Sequence, residues 1–169
     1  MNPFIEIEPE GIRDNVFKLI GSDWMLIAAG TRDSFNMMTA SWGGMGVLWD
    51  KRIAICFVRP QRYTYEFVER ATHFALSFFS EDYKDALKLC GSKSGRQVDK
   101  VAATGLTPVV GETGAIYFAE ARLVLECRKI YFQDLDPAHF VDDEIHKNYS
   151  KRDYHRMYFG EIIHCLAKP

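Results

Sequence analysis

The sequence predicts a mainly β fold with peripheral helices, arranged as a closed or partly closed antiparallel barrel, and three observations predict it. Short apolar runs rich in β-branched and aromatic residues recur along the chain, each bounded by Gly, Pro, Asp or Ser. They come too often, and the helical stretches between them too irregularly, for the strand-helix-strand alternation of a parallel sheet. Of the 169 residues, 47% are hydrophobic and 14% aromatic, enough for one domain that buries roughly 70% of the surface its unfolded chain would expose. No repeat, low-complexity tract or linker divides the chain, so a single domain over residues 1–169 is expected.

Taken in order, strands are expected over residues 24–30, 35–42, 52–58, 73–79, 116–132 with a break, and 157–164. A short helix is expected from Tyr63 or Thr64 to about Arg70. The run Ser80-Glu81-Asp82 reads as a helix cap, Tyr83, Leu87, Leu89 and Cys90 supply the apolar face that follows, and Gly91 reads as the stop. Residues 96–103 read as a third helix ending at Gly105, and Asp136-Pro137 as the opening of a fourth. Small barrels fill their interior with side chains, which leaves a rim or a subunit boundary for any ligand.

Charge and cysteine usage narrow the function. Lysine plus arginine number 21 against 23 acidic residues, a formal charge of -2 with no broad basic face for a nucleic-acid backbone, so no nucleic-acid partner is expected. The first ten residues carry three glutamates, and no later stretch approaches the ~20 apolar residues that cross a bilayer, so no membrane partner is expected either. A cytoplasmic protein is the expectation. Cysteines at 56, 90, 127 and 165 form no C-x-x-C pair and do not cluster with histidine, which argues against a metal site. Cys56 and Cys127 sit inside strand-like runs as small hydrophobes, and disulfides are disfavoured.

Two neighbouring segments carry the candidate chemistry. In Asn36-Met37-Met38-Thr39-Ala40-Ser41-Trp42, small polar residues end a strand and Gly43-Gly44 follow, reading as a turn that lets a backbone or a flat ligand approach. Backbone amides and the hydroxyls of Thr39 and Ser41 can address the polar edge of a planar ring there, although polar residues at strand ends are common. In Val58-Arg59-Pro60-Gln61-Arg62-Tyr63-Thr64, two arginines leave a strand just before a helix start, a suitable anion site with Tyr63 or Thr64 completing the donor set. The competing reading makes both arginines surface charges paired with Glu66 or Glu69. Trp42 and Trp49 flank the Gly-rich turn and read as core or interface anchors. His155 and Tyr158 read as structural, as does Cys90.

Together with C-G-S-K-S-G-R at 90–96, D-K at 99–100, G-L-T-P at 105–108 and M-Y-F-G-E-I at 157–162, these segments resemble the flavin reductase-like family, which includes flavoredoxin. The resemblance spans nearly the whole chain. It implies an FMN-binding split β-barrel of antiparallel Greek-key type, with non-covalent FMN at a homodimer interface. It implies that Asn36, Thr39, Ala40 and Ser41 line the isoalloxazine and ribityl part of FMN, and that Arg59, Arg62, Tyr63 and Thr64 hold the phosphate. Ser92, Lys93 and Ser94 would reach the same flavin, from this subunit or its neighbour. Function is then an NAD(P)H-dependent flavin oxidoreductase, or a flavoredoxin-like electron carrier with a redox protein partner; no catalytic acid or base is required of the chain.

Overall fold

The computed structural model describes residues 3–169. Ten strands form along the chain: β1 (Ile5–Glu6), β2 (Met25–Thr31), β3 (Ser34–Ala40), β4 (Gly43–Leu48), β5 (Lys51–Val58), β6 (His73–Phe78), β7 (Pro108–Val110), β8 (Ile116–Phe118), β9 (Leu123–Asp134) and β10 (Arg156–Ala167). Four α-helices accompany them: α1 (Val16–Lys18), α2 (Tyr63–Arg70), α3 (Lys84–Ser92) and α4 (Lys100–Thr104).

The main sheet runs β3-β2-β6-β9-β10-β5-β4, with β1 added to β10 and every pairing antiparallel. Its two end strands, β3 and β4, are consecutive in the chain and joined only by Ser41 and Trp42. The sheet must therefore curl until its ends meet, yet β3 and β4 do not hydrogen-bond. A barrel split along one seam results, as expected from the strand-rich sequence. The small β7-β8 hairpin stands apart from this path.

Because the sheet is covered on both faces over β2, that strand is buried on both sides. Its residues Met25, Ile27 and Ala29 join a first core with Phe74, Leu76, Leu125 and Tyr158, which α2 plugs with Phe67 and Val68. Leu26 and Ala28 face a second core with Phe118 and Val124, which α3 closes with Leu87 and Cys90. All four cysteines are buried and free.

Several boundaries differ from the sequence reading for identifiable reasons. Gly43 and Gly44 do not turn: they begin β4, where Gly43 pairs with Cys56. A Cβ on Gly43 would lie 2.6 Å from the Ile55 carbonyl, so the close approach is by protein backbone. The real turn is Trp49-Asp50, both with positive φ (53° and 55°), the two-residue type I′ geometry of a tight hairpin. Helix α3 continues through Gly91 to Ser92, its last turn closed by the Lys93 amide on the Leu89 carbonyl, and a Cβ at Gly91 would come 3.3 Å from Thr39. The expected 96–103 helix shortens to α4, capped by the Asp99 carboxylate on the Ala102 amide and ended by a left-handed Gly105. At Asp136-Pro137 only a 3-10 turn, Pro137–His139, forms.

Candidate functional site

The seam between β3 and β4 is where the two singled-out segments meet. A cavity of about 200 Å³ lies there, lined by Met38, Thr39, Ala40, Ser41, Trp42, Phe57, Arg59, Arg62 and His155. Its wall on one side is β3, a terminal strand of the sheet with one unpaired edge. The Met37 carbonyl is on that edge, because the Lys100 ammonium donates to it at 2.7 Å. Backbone groups of an antiparallel strand alternate, so those of Thr39 share the open edge while those of Asn36, Met38 and Ala40 face β2. Thr39 thus has its main-chain donor and acceptor on the open edge, while Ala40 and Ser41 line the cavity as the strand ends. The Thr39 hydroxyl donates to the Leu87 carbonyl at 2.5 Å, fixing β3 to α3.

Asn36 is buried away from this cavity. Its amide donates to the Thr64 hydroxyl at 2.9 Å, which ties β3 to the first turn of α2. Thr64, 1% exposed, is likewise part of the frame. Tyr63 packs edge-on against Phe67 and under the Arg96 guanidinium, on the side of a neighbouring cleft.

The two arginines have different surroundings. Arg59 donates to the Asp153 carboxylate at 2.7 Å and to the Asn148 carbonyl at 3.0 Å, and it lies over the Tyr149 ring. Arg62 makes only one long contact, 3.4 Å to the Cys90 carbonyl, and no carboxylate pairs with it among the described residues. Burial and the Arg59 charge lower its affinity for its proton, the signature of a cation held without an anion. The amides of Tyr63 and Thr64, at the start of α2, have no acceptor among the described residues, so two free N–H groups stand beside Arg62. Glu66 and Glu69 take neither arginine: Glu66 pairs with Arg70 and Arg96, and Glu69 with Arg156.

His155, which sequence alone reads as structural, lines the site as well. Its ring lies 5.1 Å from that of Trp42, tilted by 53°, and its Nδ1 lies 2.7 Å from the Tyr149 hydroxyl. Burial, then the Arg59 charge, push it down to about 4, so the ring is neutral. The Tyr149 hydroxyl and Nδ1 share this hydrogen bond, which fixes the ring of His155 where it lines the cavity. The signal that could have found it is the D-Y-H run opening the last strand. Trp42 and Trp49, 45% and 56% exposed, are not core anchors; Trp42 edges the cavity. Ser92, the last residue of α3, and Lys93 after it are exposed, and Ser94 accepts from the Arg96 amide, so none of the three lines this cavity within one chain. Cys90 is buried, with its thiol pushed up by burial, which rules it out as a ready thiolate.

The fold and site together define a split antiparallel barrel whose seam holds one arginine without a carboxylate partner among the described residues, beside an open strand edge. The family model for the flavin reductase like domain matches residues 17–168, so the chain belongs to the flavin reductase-like family. No curated protein sequence matches it. Among solved structures, it is similar to an FMN-binding protein from Thermus thermophilus with bound 1-cyclohex-2-enone, at 20% identity and TM-score 0.70 over 96% of this chain and 79% of that one. It is similar to flavoredoxin from Methanosarcina acetivorans at 24% identity and TM-score 0.67, covering 95% and 76% of the two chains. A Streptomyces globisporus NADH:FAD oxidoreductase in complex with NAD and FAD fragments matches at 19% identity and TM-score 0.64, over 86% and 74%.

Proposed function

We propose that this protein binds FMN non-covalently at the seam and acts as an NAD(P)H-dependent flavin oxidoreductase. The observation that carries the reading is Arg62, a cation with no carboxylate partner among the described residues, which lines the cavity beside the open edge of β3 immediately before the start of α2. Family membership and relatives named as FMN- or FAD-handling proteins supply the ligand class.

In this reading Arg62 and the start of α2 grip the phosphate, with Arg59 behind them. Thr39 and Ser41 meet the polar edge of the ring through main-chain groups, and Trp42, Phe57 and His155 wall it. Bound flavin supplies the electron chemistry; the chain orients it and tunes it by hydrogen bonds at the ring edge. The four buried, reduced cysteines suit a cytoplasmic setting.

A homodimer belongs to the same proposal. At about 200 Å³ the cavity is smaller than the 300–1,000 Å³ typical of sites for ligands of this size, so a second copy would complete it. An aromatic face is available, where exposed Trp49 and Tyr131 pack with half-buried Phe159 at 5.4 to 6.3 Å. In this reading Ser92, Lys93 and Ser94, at and just after the end of α3, would contact the flavin bound to the partner copy.

Purified protein supplied with FMN should be yellow and should bleach under anaerobic conditions on adding NADH or NADPH. Holoprotein that stays oxidised with both nucleotides would favour the second reading, a flavoredoxin-like carrier reduced by a redox protein partner. The exposure of Trp42 at the cavity mouth gives that reading its own support, since a partner protein could dock there.

A further inference from the structure

Lys100 is the one lysine that the fold buries almost completely, at 4% exposure. Its ammonium donates to the Met37 carbonyl at 2.7 Å and to the Cys90 carbonyl at 3.0 Å, and no carboxylate pairs with it among the described residues. Cys90 is also the carbonyl that Arg62 reaches at 3.4 Å. Two cations without counter-ions thus converge on one carbonyl oxygen, one from the phosphate end of the seam and one from behind it. Met37 belongs to the ring-edge strand, and Cys90 lies two residues before the Ser92 to Ser94 loop, so Lys100 clamps two of the three candidate cofactor segments together.

We propose that Lys100 is a positioning residue of the anion site: it holds β3 against the end of α3, adds a second positive charge behind Arg62, and couples phosphate binding to uptake of a proton. This deepens the flavin reading and rests on it. Buried charge without a partner is costly, and an arriving dianion offsets that cost for both cations at once. The charged and titratable groups around Lys100 are Arg62 and the protonated Cys90 thiol, with Asp33, Arg96 and Asp99 along the adjoining cleft of about 660 Å³.

The sign follows from linkage. Burial, reinforced by Arg62, pushes the Lys100 ammonium down to about 8 in the free protein. A phosphate beside it moves that value up, so between the two values the complex carries one more proton than its separate components, and affinity falls as pH rises through that window. The phosphate's own second ionisation, near pH ~6, is complete before the window opens.

The test is a fluorescence titration of FMN and of riboflavin, which lacks the phosphate, between pH 7 and 9.5. Wild type is expected to lose roughly tenfold in FMN affinity across the range while riboflavin stays level. Lys100→Met is expected to bind FMN about tenfold more weakly at pH 7 and to show no slope. A level FMN profile in wild type, or a slope retained by Lys100→Met, overturns the proposal. Should the variant not fold, the contrast between FMN and riboflavin in wild type decides alone. Absence of saturable FMN binding at every pH would overturn the flavin reading itself, an outcome distinct from a level profile.

Discussion

Arg62→Ala is expected to weaken FMN binding by about 2 kcal/mol, close to thirtyfold, while removal of Arg59 together with Asp153 should cost less than about 1 kcal/mol. The asymmetry comes from their partners. Arg59 already spends its charge on Asp153 and its remaining donors on Asn148, so the pair presents little net charge to a ligand. Arg62 has only the distant Cys90 carbonyl, and a phosphate would supply the anion it lacks. Arg59→Ala alone should hurt more than the double change, because it leaves the half-buried Asp153 carboxylate facing the phosphate. Removing both arginines should cost several kcal/mol, taking ~1.5–3 kcal/mol for each charge-assisted contact at full strength. Flavin fluorescence titrations of the four variants check the ranking. Arg62→Ala binding FMN as wild type does would show that the phosphate lies elsewhere.

The strand-rich barrel was legible because its apolar runs have strand length and are bounded by breakers, and the two runs around residues 36–42 and 57–64 meet at the seam as expected. The differences arise where tertiary contacts override local composition. Gly43 and Gly44 look like a turn in isolation, but β5 recruits them as a strand that only a glycine can start so close to Ile55. Gly91 looks like a helix stop, yet the helical hydrogen bonding runs past it, with the Lys93 amide still on the Leu89 carbonyl. The partners of charged side chains were not legible at all. Asp153 lies 94 residues from Arg59, and no local pattern assigns that pairing over one with Glu66. His155 escaped for the same reason, since its place in the site is set by Trp42 and Tyr149 from distant segments.

Gly95→Ala is expected to destabilise the fold by about 2 kcal/mol and to weaken flavin binding with it, although Gly95 does not line the seam. A Cβ there would sit 2.2 Å from Asn36 Oδ1, 2.9 Å from its Cγ and 3.1 Å from the Tyr63 ring. Asn36 cannot simply swing away, because its amide holds the buried Thr64 hydroxyl and thereby the first turn of α2. Displacing it leaves that hydroxyl unsatisfied, at a cost of about 1–3 kcal/mol, and loosens the turn that follows Arg62. One asparagine therefore locks three segments, from β3, from α2 and from the loop after α3, which gives a physical reason for their appearing together in the sequence. The double-mutant cycle isolates this lock. With Asn36→Ala in place the severe clash is removed and only the 3.1 Å approach to the Tyr63 ring remains, so adding Gly95→Ala should cost much less, a coupling of about 1–2 kcal/mol between positions 59 apart in sequence. Denaturant unfolding of the wild type, both single variants and the double variant measures it. Additive losses would mean that Asn36 and Gly95 act independently and that the lock does not exist.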